Sequence, residues 1–263
     1  MMQLLLKLRT RLSICALFYF LSLSVSYAQT ASVRLAANTG EPASSAPVIV
    51  IGFVGGFVKH DNLVHGGVQV AARLREDYRS GVYIESFENH RGEKAHAAIL
   101  KLLDIDHDGV LSSDEKRNAR IILYGISWGA SETVNLAREL QSDGIPVLLT
   151  IQVDSVSKFG ENDETIPANV AEAINFYQPD GLLHGRPQIR AADANHTHII
   201  ANIRYDYKQT PIRCERYPWY DRVFAKTHTQ IECDPKVWNR VESLIRSKLP
   251  PIGANASAQN SAQ

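Results

Sequence analysis

Apolar positions along the chain fall into continuous runs that alternate with runs of helical spacing. The continuous runs, which predict buried strands, lie at 47–53, 82–87, 120–125, 146–154 and 198–207. Apolar residues recur every three or four positions at 68–78, 93–104, 131–141 and 235–249, the last predicted to begin at Asp234 as its N-cap. This alternation predicts an α/β fold with a mostly parallel, doubly wound sheet that helices cover on both faces.

Residues 155–197 interrupt the alternation. They are rich in Asn, Asp, Pro and Gly, and they contain one piece of helical spacing near "NVAEAINFY" (169–177). We expect this segment to form an excursion over the carboxyl edge of the sheet, where folds of this kind bind ligands.

The first 28 residues have the pattern of a secretory signal peptide. Three basic residues precede the mostly apolar run Leu12–Val25, and Ser26-Tyr27-Ala28 is a small-x-small cleavage site. An uncleaved anchor is the alternative. Composition predicts a flexible leader at 29–46, one main domain at 47–249 and a disordered tail at 250–263. We therefore expect a periplasmic or secreted protein with no stable membrane span after cleavage.

Charge and cysteine content narrow the classes of function. The whole chain has 28 basic and 28 acidic residues, and removal of the signal peptide leaves a net charge of about −3. This balance gives no electrostatic case for nucleic-acid binding. Two cysteines remain, Cys214 and Cys233, and an even number in an oxidising compartment favours a disulfide. Two buried thiols are the alternative.

The stretch "GISWG" (125–129) fits the pattern G-x-S-x-G between a predicted strand and a predicted helix. This context is typical of a nucleophilic serine, since a tight turn exposes Ser127 above the sheet. A serine helix cap is the alternative. An oxyanion hole needs two backbone donors. We expect one from Trp128 and the other from Phe53, which we place just after Gly52 at the end of the first strand.

These stretches resemble the α/β-hydrolase superfamily, especially its lipase- and esterase-like members. The resemblance covers residues 47–249 and implies a trimmed fold, because no antiparallel strands precede the first parallel one. It implies the chain order serine, acid, histidine, which favours Asp154 and His228 as partners of Ser127. The other candidate acids and bases are Asp180, Asp193, Asp206, Asp221, His184, His196 and His198. A Cys214–Cys233 bridge would brace the loop expected to carry His228.

"DIDHDGVLSSDE" (104–115) has the spacing of an EF-hand calcium loop. The expected oxygen ligands are Asp104, Asp106, Asp108, the Val110 carbonyl, Ser112 and Glu115, with Gly109 at the sharp turn. A solvated acidic turn is the alternative. Since this loop precedes the strand that leads to Ser127, we expect it at the opposite edge of the sheet. The ion, Ca²⁺, would be structural.

The sequence thus predicts a secreted or periplasmic serine hydrolase that cleaves an ester of a lipid or another acyl group. Phe53, Val54, Phe57 and Trp128 indicate an apolar substrate, although the same residues could belong to the core. A thioesterase or an acyltransferase would use the same triad. A calcium-dependent binding module without catalysis is the alternative of a different class.

Overall fold

A computed structural model describes residues 46–252. The predicted signal peptide, nearly all of the leader and most of the predicted tail lie outside the described residues. Within 46–252, no helix is long and apolar enough to cross a bilayer.

The described chain alternates strands and helices in its first half and is less regular in its second. The elements are, in order, β1 (Val48–Val54), α1 (Gly66–Asp77), β2 (Val82–Glu88), α2 (Gly92–Leu103), α3 (Ser113–Arg117), β3 (Ile121–Ile126), α4 (Trp128–Ser142), β4 (Val147–Val153), β5 (Thr165–Ile166), β6 (Val170–Tyr177), β7 (Arg190–Ala191), β8 (His198–Arg204), α5 (Trp219–Phe224), α6 (Lys226–Cys233) and α7 (Pro235–Arg246). Asp234 caps α7 as predicted, with its side chain accepting from the Lys236 N–H.

Six strands form one sheet in the order β2-β1-β3-β4-β6-β8, and every neighbouring pair is parallel. The short strands β5 and β7 pair with each other in a separate two-stranded sheet. The prediction of a mostly parallel sheet is therefore confirmed. In such a sheet, the carboxyl ends of β3, β4 and β8 meet at the same edge.

The core has two parts, one on each face of the sheet. On one face, α1 and α7 contribute Leu74 and Trp238 to a cluster with the strands. On the other face, α2 and α4 contribute Ile99 and Leu140 to a second cluster. A sheet covered on both faces has strands without polar alternation, which explains why all seven residues of β1 are buried.

The helical interpretation of "NVAEAINFY" was wrong. Residues 170–177 form β6, which pairs with β4 on one side and β8 on the other. Val170, Ala173, Ile174 and Tyr177 have helical spacing, but all four residues from Ala173 to Phe176 are buried, or nearly so, between the two helical layers. Residues 155–197 are thus an excursion only in part, because they include an inner strand of the sheet.

The first strand does not end at Gly52 as expected. β1 continues through Gly52 and Phe53 to Val54, and Phe53 lies in register with Phe87 on β2 and Gly125 on β3. Gly52 does not end the strand; its lack of a side chain accommodates the Tyr124 ring, whose Cζ lies 2.4 Å from the position of a Cβ at residue 52. Phe53 is therefore a strand residue and not a loop residue.

The acidic loop lies at the edge of the sheet opposite Ser127. α2 ends at Leu103, the loop follows, and β3 begins at Ile121 after the short helix α3. At this edge, the Arg120 carbonyl accepts from the Ile49 N–H near the start of β1. The six residues of β3 span roughly 20 Å, so about one strand length separates the loop from the serine.

Candidate active site

Ser127 occupies a sharp turn between β3 and α4. Its φ of 57° and ψ of −127° are unusual for a residue with a side chain. Its N–H donates to the Val153 carbonyl (3.0 Å) and its carbonyl accepts from the Val156 N–H (3.3 Å), so the turn is fixed against the end of β4. Ser127 is partly exposed. A strained strand-to-helix turn that presents a serine is the geometry of a nucleophile elbow.

The two glycines that flank the serine turn are required by close backbone contacts. A Cβ at residue 125 would lie 2.4 Å from the Gly129 carbonyl oxygen, and a Cβ at residue 129 would lie 2.4 Å from that of Phe53. Either side chain would force the turn apart. The spacing of the motif is therefore explained by packing of α4 onto β1 and β3.

Asp154 lies directly beyond β4, beside the serine turn. Ile126 and Val153 are in register on β3 and β4, so Ser127 and Asp154 follow two paired residues. The Asp154 side chain is completely buried. Its Oδ1 accepts from the N–H groups of Gln178 (3.0 Å) and Gly185 (2.8 Å), and its Oδ2 accepts from Gln178 Nε2 (2.9 Å). Protein N–H groups thus hold the carboxylate in place and replace water as its hydrogen-bond donors.

His228 binds the same carboxylate. Its Nδ1 lies 2.6 Å from Asp154 Oδ2, across 74 residues of sequence, and the imidazole is almost entirely buried. Sequence analysis placed His228 on a loop, but it lies in the first turn of α6. An ionised carboxylate can only accept, so Nδ1 carries the proton and Nε2 is left as the acceptor. Within the described residues, Ser127 Oγ makes no hydrogen bond to His228; such bonds are often long without substrate.

The pKa of His228 is raised above its ordinary value of 6.5. Burial acts in the opposite direction, but the hydrogen bond and charge of Asp154, together with the negative charges of Glu232 and Asp221, outweigh it. The imidazole is therefore surrounded by groups that stabilise a positive charge. This is the electrostatic environment that a general base needs when it takes up a proton.

A second buried histidine–carboxylate pair, not predicted from the sequence, lies beside this site. His65 Nδ1 is hydrogen-bonded to Glu232 Oε1, and both side chains are about nine-tenths buried. Glu232 lies on α6 one turn after His228, while His65 precedes α1. The His65 ring also contacts Tyr217 edge-on at 5.2 Å. The i, i+4 spacing of His228 and Glu232 on a helix was the available signal.

The competing candidates lie elsewhere or make other contacts. Asp180 pairs with Lys208 (2.5 Å), and Asp193 pairs with His196 (2.8 Å). Asp206 accepts from the Lys208 N–H. Asp221 is near His228, where burial first and then the charge of Glu232 raise its pKa. Among the remaining histidines, His184, His196 and His198 are exposed.

The backbone donors differ from the expected pair. Trp128 is the first residue of α4, where N–H groups lack partners within the helix. Phe53, however, is enclosed between β2 and β3, so its N–H belongs to the sheet. Gly55, two residues later, packs directly against the serine: a Cβ there would lie 2.9 Å from Ser127 Cβ. The backbone at Gly55-Gly56 is better placed than Phe53 to face a group bound at Ser127.

Aromatic side chains border the serine turn. The Phe57 ring is almost fully exposed and meets the Trp128 ring edge-on at 5.7 Å. By contrast, Phe53 and Val54 are buried core residues. The apolar neighbourhood expected from the sequence is therefore limited to Phe57 and Trp128.

Cys214 and Cys233 form a disulfide with a Cα–Cα distance of 5.9 Å. The bridge closes a segment of 19 residues that includes α5 and α6. His228 lies inside this closed segment. The bridge therefore restrains the helix that carries the imidazole.

The acidic loop brings together part of the expected ligand set. Carboxylate oxygens of Asp104, Asp106 and Asp108 lie within 4.8 Å of one another. Gly109 adopts a φ of 82°, as the sharp turn of such a loop requires. Oδ1 of Asp104 is buried without a hydrogen-bond partner in the described residues. Three convergent carboxylates and an unpartnered buried oxygen fit a hard cation.

Glu115, the last of the expected ligands, is hydrogen-bonded within the loop. Its Oε2 accepts from the Ser112 N–H (2.8 Å) and hydroxyl (2.7 Å), and its Oε1 accepts from the Ile105 N–H (2.8 Å). Ser112 caps α3 in return, which completes a capping box. These bonds, first those from Ser112, lower the pKa of Glu115. Both carboxylate oxygens thus accept hydrogen bonds within the loop, and Val110 is exposed.

Comparisons with known proteins show only distant structural similarity. No protein-family model and no curated protein sequence matches the chain. The chain is similar to a solved structure of RedJ thioesterase from the prodiginine pathway of Streptomyces coelicolor (10% identity, 76% of this chain and 98% of that chain, TM-score 0.34).

Two other solved structures are similar to the same degree. One is described as a hydrolase of the α/β superfamily from Xanthomonas campestris pv. campestris (15% identity, 76% of this chain and 98% of that chain, TM-score 0.35). The other is a bacterial heroin esterase (12% identity, 73% of this chain and 76% of that chain, TM-score 0.32). At these values the function of the present chain rests on the geometry of its own site.

Proposed function

We propose that the protein is a serine hydrolase of the α/β-hydrolase type that cleaves a carboxylic ester. The observation that carries this proposal is the buried 2.6 Å contact between Asp154 and His228 beside a strained serine turn. A partly exposed serine and a buried carboxylate follow adjoining strands, and the imidazole that binds the carboxylate keeps its Nε2 as an acceptor. These are the parts of a catalytic triad.

In the proposed mechanism, His228 Nε2 takes the proton of Ser127 Oγ as that oxygen bonds to the ester carbonyl carbon. Collapse of the tetrahedral intermediate breaks the carbon–oxygen bond, and His228 returns the proton to the leaving alcohol. Water, with His228 again as base, then releases the acid and restores the serine. Asp154 keeps the imidazole in one tautomer and stabilises its charged form.

The oxyanion would be held by the N–H groups of Trp128 and of Gly55 or Gly56. This replaces the Phe53 donor expected from the sequence, because Phe53 lies within the sheet. Loss of one such donor in comparable sites slows catalysis by about 10²–10³-fold. Phe57 and Trp128 would contact an apolar part of the substrate, which favours a lipid or another apolar acyl ester.

A fluorescent fluorophosphonate tests the nucleophile directly. Wild type should be labelled and should release acid from a chromogenic ester, whereas Ser127→Ala should do neither, with a loss of about 10⁴-fold or more in rate. Ser142→Ala, an exposed serine at the end of the same helix, is the matched control and should behave as wild type. Folded wild type that is not labelled would favour a binding module instead.

The products distinguish the variants of this chemistry. A thioester substrate cleaved faster than the matching oxyester would indicate a thioesterase. Accumulation of a new ester instead of free acid, when an alcohol is supplied, would indicate an acyltransferase. All three activities would use Ser127, Asp154 and His228 in the same roles.

We also propose that the acidic loop binds a structural Ca²⁺ ion and that the protein is periplasmic or secreted. Asp104, Asp106, Asp108 and the Val110 carbonyl would hold the ion, whose positive charge would offset the repulsion between the three carboxylates. The Cys214–Cys233 bridge supports an oxidising compartment. Fractionation of cells that produce the full chain tests this location, and accumulation in the cytosol would contradict it.

A further inference from the structure

Helix α5 exposes its apolar side to solvent. None of its six residues is buried, and its large apolar side chains are more than half exposed: Trp219 (64%), Tyr220 (52%), Val223 (61%) and Phe224 (70%). At 100° per residue, positions 219, 220, 223 and 224 form one continuous stripe along the helix. A surface helix normally turns such a stripe inwards, so α5 is inverted relative to the usual arrangement.

Asp221 is the only residue of α5 that is partly buried, and Arg222 is exposed like the apolar residues. The Asp221 carbonyl accepts from Thr229 Oγ1 (2.9 Å), and the Asp221 carboxyl is partly buried near Glu232. The Thr229 bond ties α5 to α6, and the aromatic stripe remains exposed to solvent.

The stripe continues onto a neighbouring loop. Leu182 (87% exposed) and Leu183 (41%) line a cavity of about 490 Å³ together with Val223 and Phe224. The two leucines come from the segment after β6, far away in sequence. We call the stripe and these two leucines the α5 surface. It is a contiguous exposed apolar patch of the kind that marks an interaction site.

Basic residues surround the α5 surface. Residues 208–226 include five basic and two acidic side chains in a chain whose net charge is zero. The basic residues Arg213, Arg216, Arg222 and Lys226 are exposed. Aromatic side chains flanked by arginine and lysine match the boundary of an anionic bilayer, where the rings enter the headgroup region and the cations meet lipid phosphates.

We propose that the α5 surface docks on a bilayer that contains anionic phospholipids. This inference goes beyond the proposed esterase activity and does not need a reactive Ser127. α5 continues into α6 through a single residue, Ala225, and His228 follows Phe224 by four residues. Four residues of chain span at most about 14 Å. Docking would thus bring the candidate active site close to lipid.

Vesicle sedimentation tests the docking surface. Purified protein is mixed with vesicles of phosphatidylcholine alone or of phosphatidylcholine with phosphatidylglycerol. Wild type should bind the anionic vesicles, with a blue shift of tryptophan fluorescence. The Trp219→Ser/Phe224→Ser variant should bind at least about tenfold more weakly, because two exposed rings no longer enter the bilayer. Arg222→Gln and Lys226→Gln should each weaken binding roughly fivefold and lower its salt dependence.

The control variant is Ile252→Ser, which changes a similarly exposed apolar residue (62%) beyond α7 and should bind as wild type. Circular dichroism and fluorophosphonate labelling without vesicles verify that each variant folds. Equal binding to neutral vesicles, no binding to either kind, or binding unaffected by the α5 variants would overturn the proposal. A dimer lost in the aromatic double variant, without vesicle binding, would show that a second copy covers the surface.

Ser127→Ala separates this proposal from the proposed function. Ser127→Ala should bind anionic vesicles as tightly as wild type. Wild type that binds vesicles but is not labelled by fluorophosphonate would reject the esterase and retain the docking surface. Wild type that is labelled but does not bind vesicles would reject the docking surface and retain the esterase.

Discussion

At the scale of single residues, the site depends on the charge state of His228. In the proposed mechanism His228 must be neutral to act as the base, and neighbouring carboxylates raise its pKa above 6.5. We therefore predict that kcat/KM for the ester rises with pH through a midpoint above 6.5. The Asp154→Asn variant should have a much lower rate and a lower midpoint than wild type, because the hydrogen bond and charge that raise the pKa most are lost while burial still lowers it. A pH–rate profile of both proteins measures this.

The same shift has an opposite effect on stability. Since the pKa of His228 is higher in the folded than in the unfolded chain, its protonated form stabilises the fold fully below pH 6.5. That contribution is lost as the pH rises through the folded value, where the base becomes active. A midpoint of the wild-type pH–rate profile at or below 6.5 would contradict both statements.

Glu232 is the second residue-scale prediction. Its negative charge faces His228, as do those of Asp154 and Asp221, while His65 and Tyr217 pack against Glu232 itself. Glu232→Gln should therefore move the midpoint of kcat/KM to lower pH than in wild type while the triad remains intact. Asp143→Asn removes the partner of His96 in a comparable pair (2.6 Å) on the other face and should leave the midpoint unchanged. Equal midpoints in Glu232→Gln and wild type would exclude an electrostatic role.

At the scale of elements, strands and helices were predicted best where the apolar pattern fitted only one kind of element. The continuous apolar runs predicted β3 and β4 within about one residue, because a strand buried on both faces has no polar alternation. The edge strand β2 was also predicted within one residue, although only Ile84 and Ser86 in it are buried. β6 was missed because Val170, Ala173, Ile174 and Tyr177 fit a helical face equally well. Pairing with β4 and β8 makes this segment a strand and not a helix, and these long-range contacts cannot be read from the local sequence pattern.

The site follows the same logic. Ser127 and Asp154 could be predicted because each directly follows a predictable strand. Phe53 was expected just beyond the first strand because Gly52 suggested the end of a strand that in fact continues. The His65–Glu232 pair joins residues 167 positions apart, and only the packing of α6 beside the loop before α1 brings them together.

The disulfide gives a prediction for α5 and α6 together. Cys214→Ser/Cys233→Ser should lower the free energy of unfolding by about 3 kcal/mol, since a closed segment of similar length restricts the unfolded chain by that amount. For a domain of this size the melting temperature should fall by roughly 6–12 °C. Esterase activity below the melting temperature should also decrease, because the bridge restrains the helix of His228. Calorimetry that gives equal melting temperatures for the double variant and wild type would contradict this.

At the scale of the whole molecule, the candidate active site and the acidic loop lie at opposite edges of the sheet. Ser127, Asp154 and His228 lie at the carboxyl ends of the strands, whereas the acidic loop lies where β3 begins, roughly 20 Å away. An ion bound to the loop therefore cannot polarise a substrate carbonyl at Ser127. Its effect on activity would be indirect, through the stability of the connection between α2 and β3.

This separation leads to a prediction about calcium. For an affinity of about 10⁻⁴–10⁻³ M, roughly 10 mM Ca²⁺ should stabilise the fold by about 1.4–2.7 kcal/mol and raise the melting temperature by roughly 3–10 °C over chelator. Asp106→Asn should lose this difference, whereas Asp114→Asn, an exposed carboxylate beside the cluster, should keep it. Labelling of Ser127 well below the melting temperature should be the same with Ca²⁺ and with chelator. A melting temperature that does not respond to Ca²⁺ would make the loop a solvated acidic turn, and a response retained in Asp106→Asn would place the ion elsewhere.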